Sequence, residues 1–188
     1  MDVSEVLKAK ICLIGEAAVG KTSLIRRYVE DTFDDRYIST LGSKVSLKKL
    51  WLTSRRDPSK NLEVQLSIWD LIGERSYLET LHREYLKGAQ GIIAVCDVTR
   101  YSSFEALDQW ISAALKIAGP VPLALVVNKV DLKDQVMCLY DEHEPQEKAE
   151  RFGGFAIWSS AKSGENVNPI FGQLTLAILQ RIPAADLA

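Results

Sequence analysis

The chain has 188 residues, of which 47 % are apolar, and its formal net charge is −2. This length suits one domain with a substantial core, and the small mixed charge gives no basic surface that would favour nucleic acid or an anionic membrane. Cys12, Cys96 and Cys138 are far apart and match no metal-binding spacing, which favours reduced thiols in a cytoplasmic protein.

Apolar, strand-like runs alternate with segments of helical periodicity along most of the chain. The apolar runs are KICLIG, GIIAVCDV, VPLALVVNK and FAIWSS, and each is followed by a helix-like segment. This alternation predicts an α/β fold with a mostly parallel sheet and helices on both faces. Between the first helix and the second unit, SKVSLKKLWLT and NLEVQLSIW flank a short polar turn, which predicts an antiparallel hairpin.

These elements predict a single domain over residues 8–183, after a short N-terminal extension over 1–7 and before a tail over 184–188. Residues 1–10 lack the apolar core of a signal peptide. No apolar run approaches the roughly 20 residues that a membrane-spanning helix needs. No direct membrane anchor is therefore visible in the sequence.

The stretch GEAAVGKTS fits the pattern G-x-x-x-x-G-K-[ST] and lies between a predicted strand and a predicted helix. In such a loop the backbone N–H groups and the start of the helix surround phosphates. We expect the lysine to reach the β and γ phosphates and the threonine hydroxyl to face Mg²⁺. A glycine-rich turn without a ligand is the alternative interpretation. The predicted phosphate-binding residues are Gly15, Ala18, Val19, Gly20, Lys21, Thr22 and Ser23.

The base is indicated by NKVD, which follows the predicted strand VPLAL. The carboxylate of Asp131 can accept hydrogen bonds from the ring N–H and the exocyclic amine of guanine, whereas adenine offers neither donor there. An unpaired buried acceptor costs roughly 1–3 kcal/mol, so the site favours guanine. We expect Lys129 to lie along the base and Asn128 to brace the loop. A solvated turn is the alternative interpretation, and an ATP-dependent kinase or transport ATPase is disfavoured.

A further stretch, SSAKSGEN, follows the last predicted strand. It places a backbone N–H group where it could meet the carbonyl oxygen of guanine. By itself this pattern fits an ordinary loop equally well. The residues concerned are Ser160, Ala161 and Lys162.

Six stretches in this order, over nearly the whole chain, resemble the Ras-like small GTPases and are most similar to the Rab branch. They are GEAAVGKTS, STLG, IWDLIGER, GAQGIIAVCDVT, NKVD and SSAKSGENV. The resemblance implies a P-loop NTPase G domain: a six-stranded, mostly parallel sheet with one antiparallel edge strand, and five helices. It also implies a molecular switch that binds GTP or GDP with Mg²⁺. Its expected partners at the switch regions are an exchange factor, an activating protein and effectors, with membrane association through partners.

The resemblance also implies roles for residues of the two switches. Thr40 resembles the threonine that holds Mg²⁺ and the γ phosphate only in the GTP state, and Tyr37 matches a tyrosine of the same switch. Phe33 matches the aromatic residue that flanks the base. Asp70 resembles the residue that holds Mg²⁺ through water, and Gly73 the one whose N–H meets the γ phosphate. Taken alone, Thr40 also fits a simple loop residue and Asp70 a strand-end cap.

Catalysis is expected to involve Lys21, Thr40, Gly73 and Glu74, and the last of these departs from the family pattern. Glu74 stands where the family has glutamine. An alternative alignment treats the family's glutamine as deleted from this chain, and in that alignment too the glutamine side-chain amide is absent. An ionised carboxylate accepts hydrogen bonds but cannot donate one. Ala17 would crowd the space that a partner's arginine enters. Both features predict slow hydrolysis, and a GTP-binding scaffold with negligible hydrolysis is the alternative.

The surface that the Rab branch uses for partners is only partly matched. Trp69 matches a partner-binding aromatic residue of that branch. Val45 stands near a position that is usually phenylalanine.

Overall fold

The computed structural model of the chain describes residues 3–34, 43–53, 61–74, 81–135, 141 and 143–182. Its strands are β1 (Val3–Ile14), β2 (Ser43–Thr53), β3 (Asn61–Leu71), β4 (Gly91–Asp97), β5 (Leu123–Asn128) and β6 (Phe155–Trp158). Its helices are α1 (Lys21–Glu30), α2 (Leu81–Leu86), α3 (Tyr101–Glu105), α4 (Leu107–Ala118), α5 (Glu144–Arg151) and α6 (Val167–Leu179). A 3₁₀ helix, Val130–Gln135, follows β5.

The six strands form one sheet in the order β2-β3-β1-β4-β5-β6. The hairpin of β2 and β3 is antiparallel, and every other neighbouring pair is parallel. Strands β4 and β5 are buried at every residue, because helices cover both faces of the centre of the sheet. The predicted α/β fold with one antiparallel edge strand is therefore confirmed.

Two details of the fold concern the first strand and the helices. The first strand begins at Val3, which pairs with Asn61, so residues 3–7 form the start of β1. They do so because β3 offers them backbone partners along its whole length. Helices α3 and α4 are separated only by Ala106, which itself has helical dihedral angles. Counted together, they leave five α-helices in the described part of the chain.

Apolar side chains pack on both faces of the sheet. On one face α1 and α6 meet through Tyr28 and Phe171, whose rings stack with centroids 4.0 Å apart and planes inclined by 6°. On the other face α4 buries Leu107, Trp110 and Ile111. Among the described helices, none has both the length and the apolar character needed to cross a bilayer.

Candidate functional site

The loop over residues 15–20 connects the carboxyl end of β1 to the start of α1 and depends on glycine at both ends. Gly15 and Gly20 have φ angles of 128° and 98°, which side-chain-bearing residues rarely adopt. A Cβ on Gly20 would lie 2.2 Å from Nδ2 of Asn128, and one on Gly15 would lie 2.2 Å from the carbonyl oxygen of Val95. The two glycines thus let the loop lie directly against β4 and β5.

Lys21 is the first residue of α1, and its side chain folds back beneath the loop. Its Nζ donates hydrogen bonds of 2.7 Å to the carbonyl oxygens of Gly15 and Glu16. The pKa of Lys21 is lowered to about 8, mainly because burial disfavours the charged form; the charges of Asp70 and Glu16 oppose this shift, and that of Arg100 adds to it. A buried ammonium group of this kind gains stability when an anion binds beside it.

The start of α1 also meets the carboxyl end of β3. The hydroxyl of Thr22 donates a 2.5 Å hydrogen bond to Oδ2 of Asp70, which is buried. Hydroxyl and carboxylate oxygens are the ligands that Mg²⁺ prefers, and Mg²⁺ usually takes only one or two of them from the protein, with phosphates and water completing its shell. This pair therefore fits the predicted magnesium site. No group of three or more acidic, histidine or cysteine ligands occurs among the described residues.

Two side chains at the carboxyl end of β5 hold the carbonyl groups of the loop from outside. Nδ2 of Asn128 donates to the carbonyl of Val19 at 2.9 Å, and Nζ of Lys129 donates to that of Ala18 at 2.8 Å. The same ammonium forms a 2.6 Å ion pair with Asp97, the last residue of β4. Asn128 is thus hydrogen-bonded to the phosphate loop. Lys129 is in addition fixed by an acid that the sequence analysis did not single out.

A third side chain continues this pattern one residue earlier in the loop. Nη2 of Arg100 donates a 2.7 Å hydrogen bond to the carbonyl of Ala17 and lies 3.9 Å from the carboxylate of Glu16. Three consecutive carbonyl groups, those of residues 17–19, are therefore bound by side chains at or just beyond the carboxyl ends of β4 and β5.

The two expected base-binding segments are adjacent. Ser160 donates a 2.5 Å hydrogen bond to Oδ1 of Asp131, which orients the carboxylate that we expect to meet guanine. The N–H of Ala161 donates to Oδ1 of Asn128 at 3.2 Å. Asn128 therefore links the phosphate loop to the last loop of the site.

Helix α1 reaches the same last loop through Arg27. Its Nε donates to the carbonyl of Ala161 at 2.9 Å, and its Nη2 donates to that of Lys162 at 2.7 Å. The guanidinium also contacts Asp31 one turn later in the chain. One helix is thus attached to the phosphate loop at its start and to the base loop near its end.

The segment after β3 lies against the phosphate loop. A Cβ on Gly73 would lie 2.4 Å from the backbone nitrogen of Ala17, so only glycine allows this approach. Glu74 follows with an exposed side chain. Within the loop, Ala18 has a φ of 62°, a left-handed conformation that costs an alanine roughly 1–2 kcal/mol relative to the right-handed region.

Comparison with known proteins agrees with this geometry. A model of the Ras family matches residues 10–180 of the chain. The chain belongs to the Ras family of small GTPases. It is 36 % identical over 178 residues to the Ras-related protein Rab-21 of Geodia cydonium, covering 94 % of this chain and 73 % of the relative. It is 35 % identical over 173 residues to Rab-18 of Caenorhabditis elegans, covering 91 % and 80 %, and 35 % identical over 179 residues to SEC4 of Saccharomyces cerevisiae, covering 95 % and 78 %.

The structure brings most of the expected site residues of this small GTPase to one edge of its sheet. The phosphate-loop residues, the pair Thr22 and Asp70, Gly73 and the two segments expected to bind the base all lie where the parallel strands end. Ser23 lies within α1, and Phe33 is half-buried against the core beyond that helix. Tyr37 and Thr40 lie outside the described residues.

Three contributors to the site were missed by the sequence analysis: Arg27, Asp97 and Arg100. A signal existed for two of them, because GIIAVCDVTR places Asp97 and Arg100 just after a buried strand, at the edge where ligands bind in such sheets. Arg27 carries no such signal, since it sits on a helix face where arginine is common.

The two residues compared above with the partner surface of the Rab branch are neighbours in the sheet. Val45 and Trp69 pair across β2 and β3, and Val45 is 43 % exposed. Trp69 packs on Tyr85 with ring centroids 5.9 Å apart, and Nζ of Lys10 lies 4.3 Å from the centre of its ring.

Proposed function

We propose that this small GTPase binds GDP and GTP with Mg²⁺ and hydrolyses GTP slowly without a partner. The observation that carries the proposal is the loop over residues 15–20: side chains from outside the loop bind the carbonyl groups of residues 17–19, while the Lys21 ammonium binds those of Gly15 and Glu16. In a trans peptide the N–H points away from the C=O. Binding the carbonyl groups from outside therefore turns the following N–H groups toward the expected phosphates.

Guanine selectivity is proposed to come from Asp131. Ser160 occupies one oxygen of this carboxylate, which fixes its orientation and leaves acceptor capacity for the ring N–H and amine of the base. The N–H of Ala161 makes only a 3.2 Å hydrogen bond to Asn128, so it can be shared with a guanine carbonyl oxygen. The aliphatic stem of Lys129 supplies one face for the ring.

Thr22 and Asp70 are the described residues that would hold Mg²⁺, with Thr40 joining them in the GTP state as the family resemblance implies. When bound, the ion neutralises charge on the β and γ phosphates. The hydroxyl of Thr22 and the carboxylate of Asp70 already lie 2.5 Å apart, so the protein places both oxygens before a ligand arrives.

Slow hydrolysis is proposed from the contact of Gly73 with Ala17. Because the backbone at Gly73 lies directly on the phosphate loop, the next side chain begins beside the expected γ phosphate. That side chain is Glu74, which can accept a hydrogen bond from attacking water but has no donor for the phosphate when ionised. Its negative charge also opposes the charge of the transferring group.

The test is single-turnover hydrolysis of radiolabelled GTP with Mg²⁺ by wild type and by Glu74→Gln. We expect the glutamine variant to be faster. Glu105→Gln is a matched control, because Glu105 is also exposed but lies on α3. A wild-type rate equal to or above that of Glu74→Gln would refute the proposed handicap. Tight GTP binding without measurable turnover in either form would favour the scaffold function.

We further propose that exchange factors, activating proteins and effectors act at the switch regions, and that the protein works in the cytoplasm with membrane association through such partners. The family supports the classes of partner. The thiols of Cys12 and Cys96 are buried and each donates a hydrogen bond to a backbone carbonyl group, which agrees with a reducing compartment. Pull-down with the protein loaded with GDP or a non-hydrolysable GTP analogue tests whether partners distinguish the two states.

A further inference from the structure

We propose that Arg100 is a positioning residue for the phosphate loop and that it strengthens binding of the β phosphate. This inference rests on the proposed nucleotide binding and adds to it a residue outside the family motifs described above. The contact that carries it is the 2.7 Å hydrogen bond from Nη2 of Arg100 to the carbonyl of Ala17.

This hydrogen bond acts on the peptide unit between Ala17 and Ala18. The unit is planar and trans, so fixing the Ala17 carbonyl on the outside of the loop also fixes the Ala18 N–H on the inside. Lys129 and Asn128 do the same for the next two peptide units. Successive inward N–H groups form an anion-binding concavity, and Arg100 sets the first of them.

The loop has a particular need for this support. Ala18 is held in a left-handed conformation at φ 62°, which an alanine adopts only when neighbouring contacts impose it. Lys129 binds the carbonyl group of Ala18 itself, and Arg100 binds that of the preceding residue, Ala17. The two cations therefore hold the strained residue from both sides.

The backbone of Arg100 is itself fixed by a tight turn after β4. Its N–H donates to the carbonyl of Asp97 at 2.9 Å, and its carbonyl accepts a 2.6 Å hydrogen bond from the hydroxyl of Ser103. Asp97 in turn holds Lys129. A single turn, residues 97–100, thus positions two of the three groups that bind the loop carbonyls.

The guanidinium also contributes charge to the site. It lies 3.9 Å from the carboxylate of Glu16. Its Nε is buried and has no hydrogen-bond partner within the described residues, so the placement has a free-energy cost. The hydrogen bond to Ala17 and the charge of Glu16 offset part of this cost.

The experiment compares GDP and GMP affinities, by competition with fluorescent GDP, for wild type, Arg100→Ala and Arg100→Lys. We expect Arg100→Ala to weaken GDP binding roughly 10- to 100-fold, as for loss of a charged hydrogen bond, and to change GMP binding by less than about twofold. The GDP affinity of Arg100→Lys should lie between those of wild type and Arg100→Ala, because an ammonium group can still reach one carbonyl. Arg181→Ala is the matched control, since Arg181 donates to the carbonyl of Pro120 at the other end of β5.

Each outcome separates the two proposals. If wild type binds GDP no better than GMP, the proposed nucleotide function fails. If wild type binds GDP more tightly than GMP and Arg100→Ala has the same ratio of GDP to GMP affinity, the role of Arg100 is refuted. This holds whether the two affinities are unchanged or fall by the same factor. If Arg100→Ala does not fold, the GDP to GMP ratio of Arg100→Lys decides, and an unchanged ratio refutes the role.

Discussion

The carboxylate of Asp97 and the ammonium of Lys129 form a 2.6 Å ion pair between the ends of two adjacent parallel strands. Asp97 is buried, and its other oxygen accepts hydrogen bonds from the backbone and hydroxyl of Thr99. Both carboxylate oxygens are therefore bound: Thr99 holds one, and the other accepts a hydrogen bond from Lys129. The position of Lys129 over the phosphate loop is therefore set before any ligand binds.

Asp97→Asn tests this arrangement. Loss of the charged partner should let Lys129 leave the carbonyl of Ala18, and we expect GDP release to accelerate roughly tenfold or more. Stopped-flow displacement of fluorescent GDP measures the rate. Asp108→Asn is the control, because Asp108 forms a 2.7 Å ion pair with Lys148 outside the site. An equal effect of both substitutions would show that Asp97 only supports the fold.

Asp70→Asn should uncouple nucleotide retention from Mg²⁺. In wild type, we expect chelation of Mg²⁺ to accelerate GDP release strongly, because Thr22 and Asp70 would hold the ion beside the phosphates. The variant should need roughly 10- to 100-fold more Mg²⁺ to slow release, as for loss of a group that orients metal ligands. The measurement is the release rate against Mg²⁺ concentration. Identical curves would contradict the assignment of this pair.

The pKa of Lys21, lowered to about 8, predicts that GDP affinity depends on pH. Bound phosphate favours the ammonium form and raises this pKa, so binding takes up a proton once the pH exceeds about 8. Affinity should be constant below that pH and should fall, by up to about tenfold per pH unit, above it. Lys21→Gln should bind more weakly and lack this step, while ionisation of guanine affects both proteins alike. A step of equal size in the variant would rule out Lys21 as its cause.

Phe171→Ala tests the stack that joins α6 to α1. Phe171 is fully buried and the centroid of its ring lies 4.0 Å from that of the Tyr28 ring. We therefore expect the substitution to lower the free energy of unfolding by about 3–5 kcal/mol. Leu176→Ala on the same helix removes a side chain that is 49 % exposed and should cost about 0.5 kcal/mol or less. Urea unfolding at one fixed GDP concentration provides both values. Similar losses would mean that the stack contributes no more than an exposed leucine.

The sequence predicted the fold and most of the site because both rest on local patterns. Buried parallel strands are continuous apolar runs, and a phosphate loop requires glycines and a lysine at fixed spacing. Asp131 and Asn128 could be placed because NKVD directly follows a strand. Each of these signals is contained in fewer than ten consecutive residues.

The rest depends on side chains that are distant in sequence. Arg100 lies 83 residues from Ala17, and Arg27 lies 134 residues from Ala161. A local pattern can place Arg100 at the ligand-binding edge of the sheet, but it cannot predict either contact. The early start of β1 has the same origin. Residues 3–7 have a mixed composition, and they form a strand because β3 lies alongside them.

Helix α1 has a consequence that reaches beyond either subsite. Its first residue, Lys21, lies under the phosphate loop, and Arg27, less than two turns later, binds the loop expected to face the base. A single helix therefore connects the phosphate loop to the loop that we expect to bind the base. We expect the free energies of binding for the guanosine and phosphate parts to be non-additive, because ordering either end has already ordered the other.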